Sequence, residues 1–223
     1  MGILSETTHS RITNGIEHLQ TRDVTAIHWK RLQDDSSYAD LIAAAFRGET
    51  SSTEVVRQIL EGESLVVTAT DGTEMLASAR DVFTGYVDAN FVNWKLDQSS
   101  MPTSNQSVAV YEMQADANFA GMFGSFGVDT RTLVLTQAQI KSFCRDHRAK
   151  LRKEGYATFF LFEADTTKGH EFFVADVSVD GGKLLVYVSR FDYSRVWNGG
   201  NRLRLVVPQL PSPPALATAP AGA

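Results

Sequence analysis

Cys144 and His147 stand three residues apart in a segment with helical patterning, so their side chains can meet on one helix face. A thiolate beside an imidazole is a nucleophile with its base, and Cys-x-x-His is also half of a zinc site. Both positions, however, belong to the apolar stripe of that segment. Cys144 is the single cysteine of the chain, and no His-x-x-x-His or His-Glu-x-x-His completes a metal site. The spacing therefore predicts a packed thiol and a hydrogen-bonded imidazole, and it assigns no metal and no cofactor.

A second group, Glu163, Asp165, His170, Glu171 and Asp176, gathers around one hairpin. Carboxylates with a histidine bind magnesium or do general acid–base work. Glu163, His170, Glu171 and Asp176 are thus the candidate machinery of a small metal-assisted hydrolase or nuclease-like enzyme. Against this, Asp165-Thr166-Thr167-Lys168-Gly169 reads as an ordinary loop between solvated strand edges. Asp176 and Arg190 each interrupt an apolar alternation, Phe172/Val174/Asp176 and Val186/Val188/Arg190, and read as an ion pair across adjacent strands.

The third group is basic. Lys141, Arg145, Arg148 and Arg152 recur at i, i+4, i+7 and i+11 and so share one helix face. Residues 131–155 carry a local net charge of +5 in a chain whose total is −5. Such a face binds an acidic protein surface or the phosphates of a nucleic acid, docks on the acidic remainder of its own chain, or is simply solvated. No aromatic ladder interleaves it, so base stacking is not indicated there. The acidic whole also argues against a general nucleic-acid binder. The favoured reading is a non-enzymatic binding module with Lys141, Arg145, Arg148 and Arg152 as its contacts; the hydrolase is the alternative.

The elements that must position these groups are legible to different degrees. Leu133 to Gly155 reads as one amphipathic helix. Thr136 and Gln139 form a capping box, Leu135 and Ile140 a hydrophobic staple, and Gly155 the stop. Ile140, Phe143, Cys144, His147 and Leu151 line its core side. After it, Ala157–Ala164, Glu171–Asp180, Lys183–Asp192 and Arg202–Val207 read as an antiparallel meander, with Asp180-Gly181-Gly182 as a hairpin turn. Phe159 to Phe162 run without alternation, which predicts a strand covered on both faces.

Upstream the signal is thinner. A strand near Val24–Leu32, helices near 37–48 and 52–61, and a hairpin from Leu65–Thr70 through Asp71-Gly72 to Thr73–Ala79 are expected, followed by a strand at Val108–Met113. Asp88-Ala89-Asn90-Phe91 and Asp116-Ala117-Asn118-Phe119 are the same tetrapeptide, read as two Asp-capped turns that each bury a Phe. Gly121, Gly124 and Gly127 are spaced like a phosphate loop but separated by Met and Phe, so a buried turn with bulky anchors is expected.

The runs Leu135–Phe162, Glu171–Phe191 and Arg202–Leu210, with Asp81–Trp94 and Val110–Gly127, resemble a group of uncharacterised proteins from reduced-genome candidate-phyla bacteria. The resemblance covers roughly 60% of the chain. It implies a shared fold and a bacterial, cytoplasmic setting, and it carries no activity, cofactor or site residue.

Together these readings predict an α+β protein: N-terminal helices and a hairpin, then a capped amphipathic helix packed on a four-stranded antiparallel meander. Residues 1–35 form a poorly anchored start and 36–207 one unit, with a possible sub-boundary near 128–133. The tail, 208–223, holds five of the six prolines and reads as disordered. No apolar run nears the roughly 18 residues of a membrane span. The lone cysteine and the absence of a signal-like start fit a soluble cytoplasmic protein.

Overall fold

Successive side chains of a strand point to opposite faces, so Phe159, Phe160, Leu161 and Phe162 demand cover above and below. In the computed structural model of the protein all four are fully buried. Each such burial contributes about 2 kcal/mol, which makes this strand the natural middle of a sheet. The structure describes residues 54–60 and 65–210, which belong to one compact unit, Thr53–Ala223.

The described strands are Val56–Gln58 (β1), Leu65–Val67 (β2), Tyr86–Val87 (β3), Gln106–Met113 (β4), Ala157–Thr166 (β5), Gly169–Asp180 (β6), Lys183–Arg190 (β7) and Arg204–Pro208 (β8). The helices are Asn90–Asn93 (α1), Phe119–Gly124 (α2) and Gln137–Asp146 (α3). The strands form one mixed sheet in the order β1-β4-β8-β5-β6-β7-β3, with β2 also on β4. β1 and β2 are two halves of one edge, pairing with opposite ends of β4.

This corrects the four-stranded meander. β5, β6 and β7 do form antiparallel hairpins, and Gly181 and Gly182 both take the positive φ their tight turn requires. The fourth strand, β8, does not continue beside β7. It lies between β4 and β5, parallel to β5. The free side of β7 is taken by β3 in parallel. Residues 191–203 must therefore cross over β6 and β5, because β7 and β8 run the same way two strands apart.

Two other expectations change. Val56–Gln58 is a strand, not part of a helix over 52–61, because its β-branched run meets the open edge of β4. The hairpin at 65–79 does not form: β2 pairs with β4, and Leu76–Ser78 is a turn of 3-10 helix that buries Leu76. Gly72 does adopt φ +78, but in a turn packed against Ser100 and Met101. The helix near 37–48, the strand near Val24–Leu32, the N-terminal segment and all but Pro208–Leu210 of the tail lie outside the described residues.

The capping box at Thr136 is present in both directions, and Leu135 and Ile140 join one core cluster. The helix is shorter than expected. It ends at Asp146, a 3-10 turn follows at Arg148–Lys150, and Leu151 is extended and fully buried. Burying Leu151 takes the chain off the helical path, and the Thr158 hydroxyl receives the Arg152 amide at 2.8 Å. Gly155, with Glu154, supplies left-handed residues for the entry to β5 rather than a helix stop.

One face of the sheet packs under α3 through Ile140, Phe143 and Cys144 against Phe160, Phe162, Phe173, Val177 and Val206. The other packs under α2 through Phe119, Met122 and Phe123 against Phe159, Leu161, Val174 and Leu205. The glycine-spaced segment is not a buried turn: its first part, to Gly124, is the end of α2, where Met122 and Phe123 are buried anchors while Gly121, Gly124 and Gly127 are exposed. Both tetrapeptide phenylalanines, Phe91 and Phe119, are fully buried. Asp88 accepts the Asn90 amide at 2.9 Å, whereas the second turn is capped by Asn118 on the Gly121 amide. Asp116 instead reaches the Gly199 amide at 2.8 Å and so holds the crossover. Among the described residues no helix is long and apolar enough to cross a membrane.

Candidate functional site

The four cations expected to share a helix face have different neighbours. Lys141 is buried, its ammonium 2.5 Å from Glu74 and 3.0 Å from Asp81. Desolvation pulls its pKa down, but the bonds to the two carboxylates outweigh this and hold it above the ordinary lysine value. Arg145 bonds Asp146 at 2.8 Å and Ser142 at 3.3 Å. Arg148 and Arg152 lie beyond the helix. Arg148 donates to the Gly182 carbonyl in the β6–β7 turn. Arg152 bonds the Asn201 carbonyl at 3.4 Å and lies 4.9 Å over the Tyr156 ring.

Cys144 is fully buried, which pushes its thiol pKa up and makes it unreactive. His147 bonds the Val66 carbonyl at 2.9 Å and packs on Phe143.

The acidic and histidine group is split. Strand register sets Asp165 opposite His170, and their side chains meet at 2.8 Å. With Glu163 they line a cleft that also includes Ser100 and Gln137. Glu171 is on the opposite face, bonded to Thr166 at 2.5 Å and 3.7 Å from Arg190. Asp176 lies six residues along β6 from His170, about 20 Å at strand rise. Among the described residues, no three His, Cys, Asp or Glu side chains are grouped to hold one metal ion. The expected Asp176–Arg190 pair does not form, because Arg190 is opposite Phe173 and Asp176 opposite Tyr187, on alternate faces. Arg190 stacks on Trp94 and Phe173 instead.

What does gather is built around Asp176. On its face of β6 and β7, α2 covers the Val174 end, with Phe123 against Phe191 and Phe191 against Phe172. The other end is open among the described residues. There Asp176 has Phe159 of β5 on one side and Tyr187 of β7 on the other. The crossover passes above, pinned by mutual backbone bonds between Trp197 and Ala117. Trp197 lies 5.0 Å from the Phe159 ring, and Arg195 lies 4.2 Å over Trp197. Tyr86 of β3 lies 5.0 Å from Tyr187, and these two tyrosines are 42% and 40% exposed.

Two clefts meet at Asp176, Arg195 and Trp197. One, of about 410 Å³, extends to Tyr156, Ser178, Asp180, Tyr187 and Asn201. The other, of about 540 Å³, extends to Ser189, Arg190, Asp192 and Tyr193. Burial between the two aromatic walls raises the Asp176 pKa to about 6, and the charge of Arg195 opposes that rise. Asp176 and Arg195 form no ion pair, and the Arg195 guanidinium has no hydrogen bond among the described residues. The Trp197 Nε1 is buried without a hydrogen-bond partner. A face with aromatic rings, unpaired guanidinium donors, the Asp176 carboxylate at its centre and Asp180 and Asp192 farther out can take a flat, hydrogen-bonding ligand whose anionic part lies at Arg195.

Sequence reasoning missed Tyr86, Tyr187, Arg195 and Trp197. Only Tyr187 is on a strand recognised beforehand, in the alternation Lys183/Leu185/Tyr187/Ser189. The available signal for Arg195 and Trp197 was an arginine and an aromatic in a long strand connection, Asp192 to Leu203; Tyr86 carried none. Compared with models of protein families, with curated proteins and with solved structures, the chain matches none.

Proposed function

We propose that this protein is a non-enzymatic binding module that holds an anionic partner against the open end of the β6–β7 face. The observation that carries the reading is Arg195. Its guanidinium is stacked on Trp197 above Asp176, with its donors engaged by no carboxylate or carbonyl among the described residues. Arg152 is beside Tyr156 at the rim of the same cleft, Arg148 at the neighbouring turn, and Lys183 is exposed at the start of β7. Of the four helix-face cations, the reading therefore keeps Arg148 and Arg152 as contacts, while Lys141 and Arg145 serve the fold.

The test is binding of labelled nucleic acid and of polyphosphate at low and moderate salt. Three or four phosphate contacts give a salt slope of about −2 to −3. Arg152→Glu with Arg195→Glu should abolish binding, and Arg145→Glu should leave it. Absence of binding to every polyanion at low salt refutes the reading.

A second reading, hydrolysis at the meander, draws support from the Asp165–His170 contact beside Glu163. It requires turnover that is lost in His170→Ala.

A further inference from the structure

Resting on the binding-module reading, we infer that the partner is single-stranded nucleic acid, with one base stacked on Tyr187 above Asp176 and its phosphate directed to Arg195. The register supplies the slot. Tyr187, Asp176 and Phe159 are directly opposite one another on three adjacent strands, and Trp197 covers Phe159. Two inter-strand spacings separate the Tyr187 and Phe159 columns by about 10 Å. The Phe159 ring is fully buried and Trp197 carries the Arg195 guanidinium on its own ring, so the exposed Tyr187 ring is the stacking face for the base. Tyr86 continues the aromatic row beyond Tyr187, at 5.0 Å, and offers a place for the next base.

Three features favour this occupant over a folded protein or a duplex. The exposed tyrosine ring stands beside Asp176 and Ser178, and the apolar lining residues Ala157 and Leu203 are themselves buried, so the slot lacks the broad apolar centre of a protein interface. The two arginines, 195 and 152, are each stacked on a ring, at 4.2 and 4.9 Å. That arrangement puts a guanidinium fork at the rim, where a backbone phosphate follows a stacked base. A duplex keeps its bases paired and stacked on each other, out of reach of the slot.

Asp176 adds a preference. A carboxylate accepts from the exocyclic amino group of cytosine, and adenine carries an amino donor too. Thymine and uracil present carbonyl oxygens at the corresponding position, which the carboxylate repels. The slot therefore prefers cytosine or adenine to thymine.

The experiment is fluorescence anisotropy of four labelled probes: oligodeoxycytidylate, oligothymidylate, a mixed-sequence duplex and inorganic polyphosphate. Tryptophan emission is recorded in parallel. The expected result is tighter binding of the single strands than of the duplex or polyphosphate, with quenching that Trp197→Phe diminishes. Tyr187→Ala should weaken single-strand binding by about 5- to 150-fold, the effect of one lost base–aromatic stack, and Tyr187→Phe should restore it. Asp176→Asn should erase the preference for cytosine over thymine. Tyr187 is exposed, so its variants are expected to fold, and thermal melting verifies this. Equal binding of all four probes, unaffected by Tyr187→Ala, overturns the base slot and leaves the anion reading standing. Failure of every probe to bind overturns both.

Discussion

Helix α3 and the β7–β8 crossover pack on opposite faces of one sheet, and each brings a cation close to carboxylates. On α3 the cation is Lys141. Two acids from the 74–81 segment reach it, and its side chain is 9% exposed. On the crossover the cation is Arg195, where the nearby acid, Asp176, is set between aromatic walls and forms no ion pair with it. The first arrangement satisfies its charges and closes the face. The second leaves donors over a polar slot. A positive residue marks a binding surface only when the chain has not already supplied its counter-charge, and sequence position does not decide that.

The largest expected effect breaks the closed side. Lys141→Glu sets a third acid against Glu74 and Asp81 in a buried position, and should cost about 3 kcal/mol. The melting temperature should fall by roughly 6–12 °C, while Lys141→Met, which buries no charge, should cost distinctly less. An unchanged melting temperature for Lys141→Glu would show that the pair does not secure α3.

Next comes the crossover. A Cβ on Gly199 would be 2.6 Å from the Ala115 carbonyl carbon, a backbone atom that cannot yield cheaply. Gly199→Ala should cost about 1–3 kcal/mol and should also disturb Trp197, read as a shift in its emission. Loss of stability without any change in that emission would separate the Gly199 packing from the slot.

The Asp176 prediction sharpens the open side. Its folded pKa, about 6, exceeds the ordinary 3.8, so folding favours the protonated form. Stability is then greatest below about pH 4 for this group and falls as pH rises toward 6. Asp176→Asn removes that loss. Partial solvent access reduces the effect to about 1–2 kcal/mol in favour of the variant at pH 7, and the two proteins should converge near pH 4. A constant difference across this range would mean the carboxyl is not destabilised by burial.

The smallest effect is expected at Arg145, which is half exposed and paired with its neighbour Asp146. Arg145→Ala should change stability by no more than about 0.5 kcal/mol and leave oligonucleotide binding intact. A marked loss of binding would return α3 to the interface.

The fold was legible where local rules are strong. The strands around Phe159–Phe162, the Asp180-Gly181-Gly182 turn and the Thr136 capping box depend on residues near one another in the chain, and each formed as read. The helix was read nine residues too long at its C-terminal end, because the periodicity of Arg148 and Arg152 continued past Asp146 while burial of Leu151 did not permit the helix to continue. The candidate site was scarcely legible. Asp176 stands out as a charge in an apolar alternation, but Arg190 points to the other face, because the two-residue turn that pairs Asp180 with Lys183 sets Asp176 opposite Tyr187 and Arg190 opposite Phe173.

The amino-acid sequence by itself determined the central strands, their alternation, the turn between β6 and β7 and the capped start of α3, since these follow from side-chain period and backbone preference within a few residues. Only the tertiary structure decided where β8 inserts. That insertion forces residues 191–203 across the sheet, sets Arg195 and Trp197 over Asp176, and places Tyr86 beside Tyr187 from a segment about 100 residues away. Strand order and crossover path depend on which edges are free after everything else has paired, a competition among distant segments that no local pattern records.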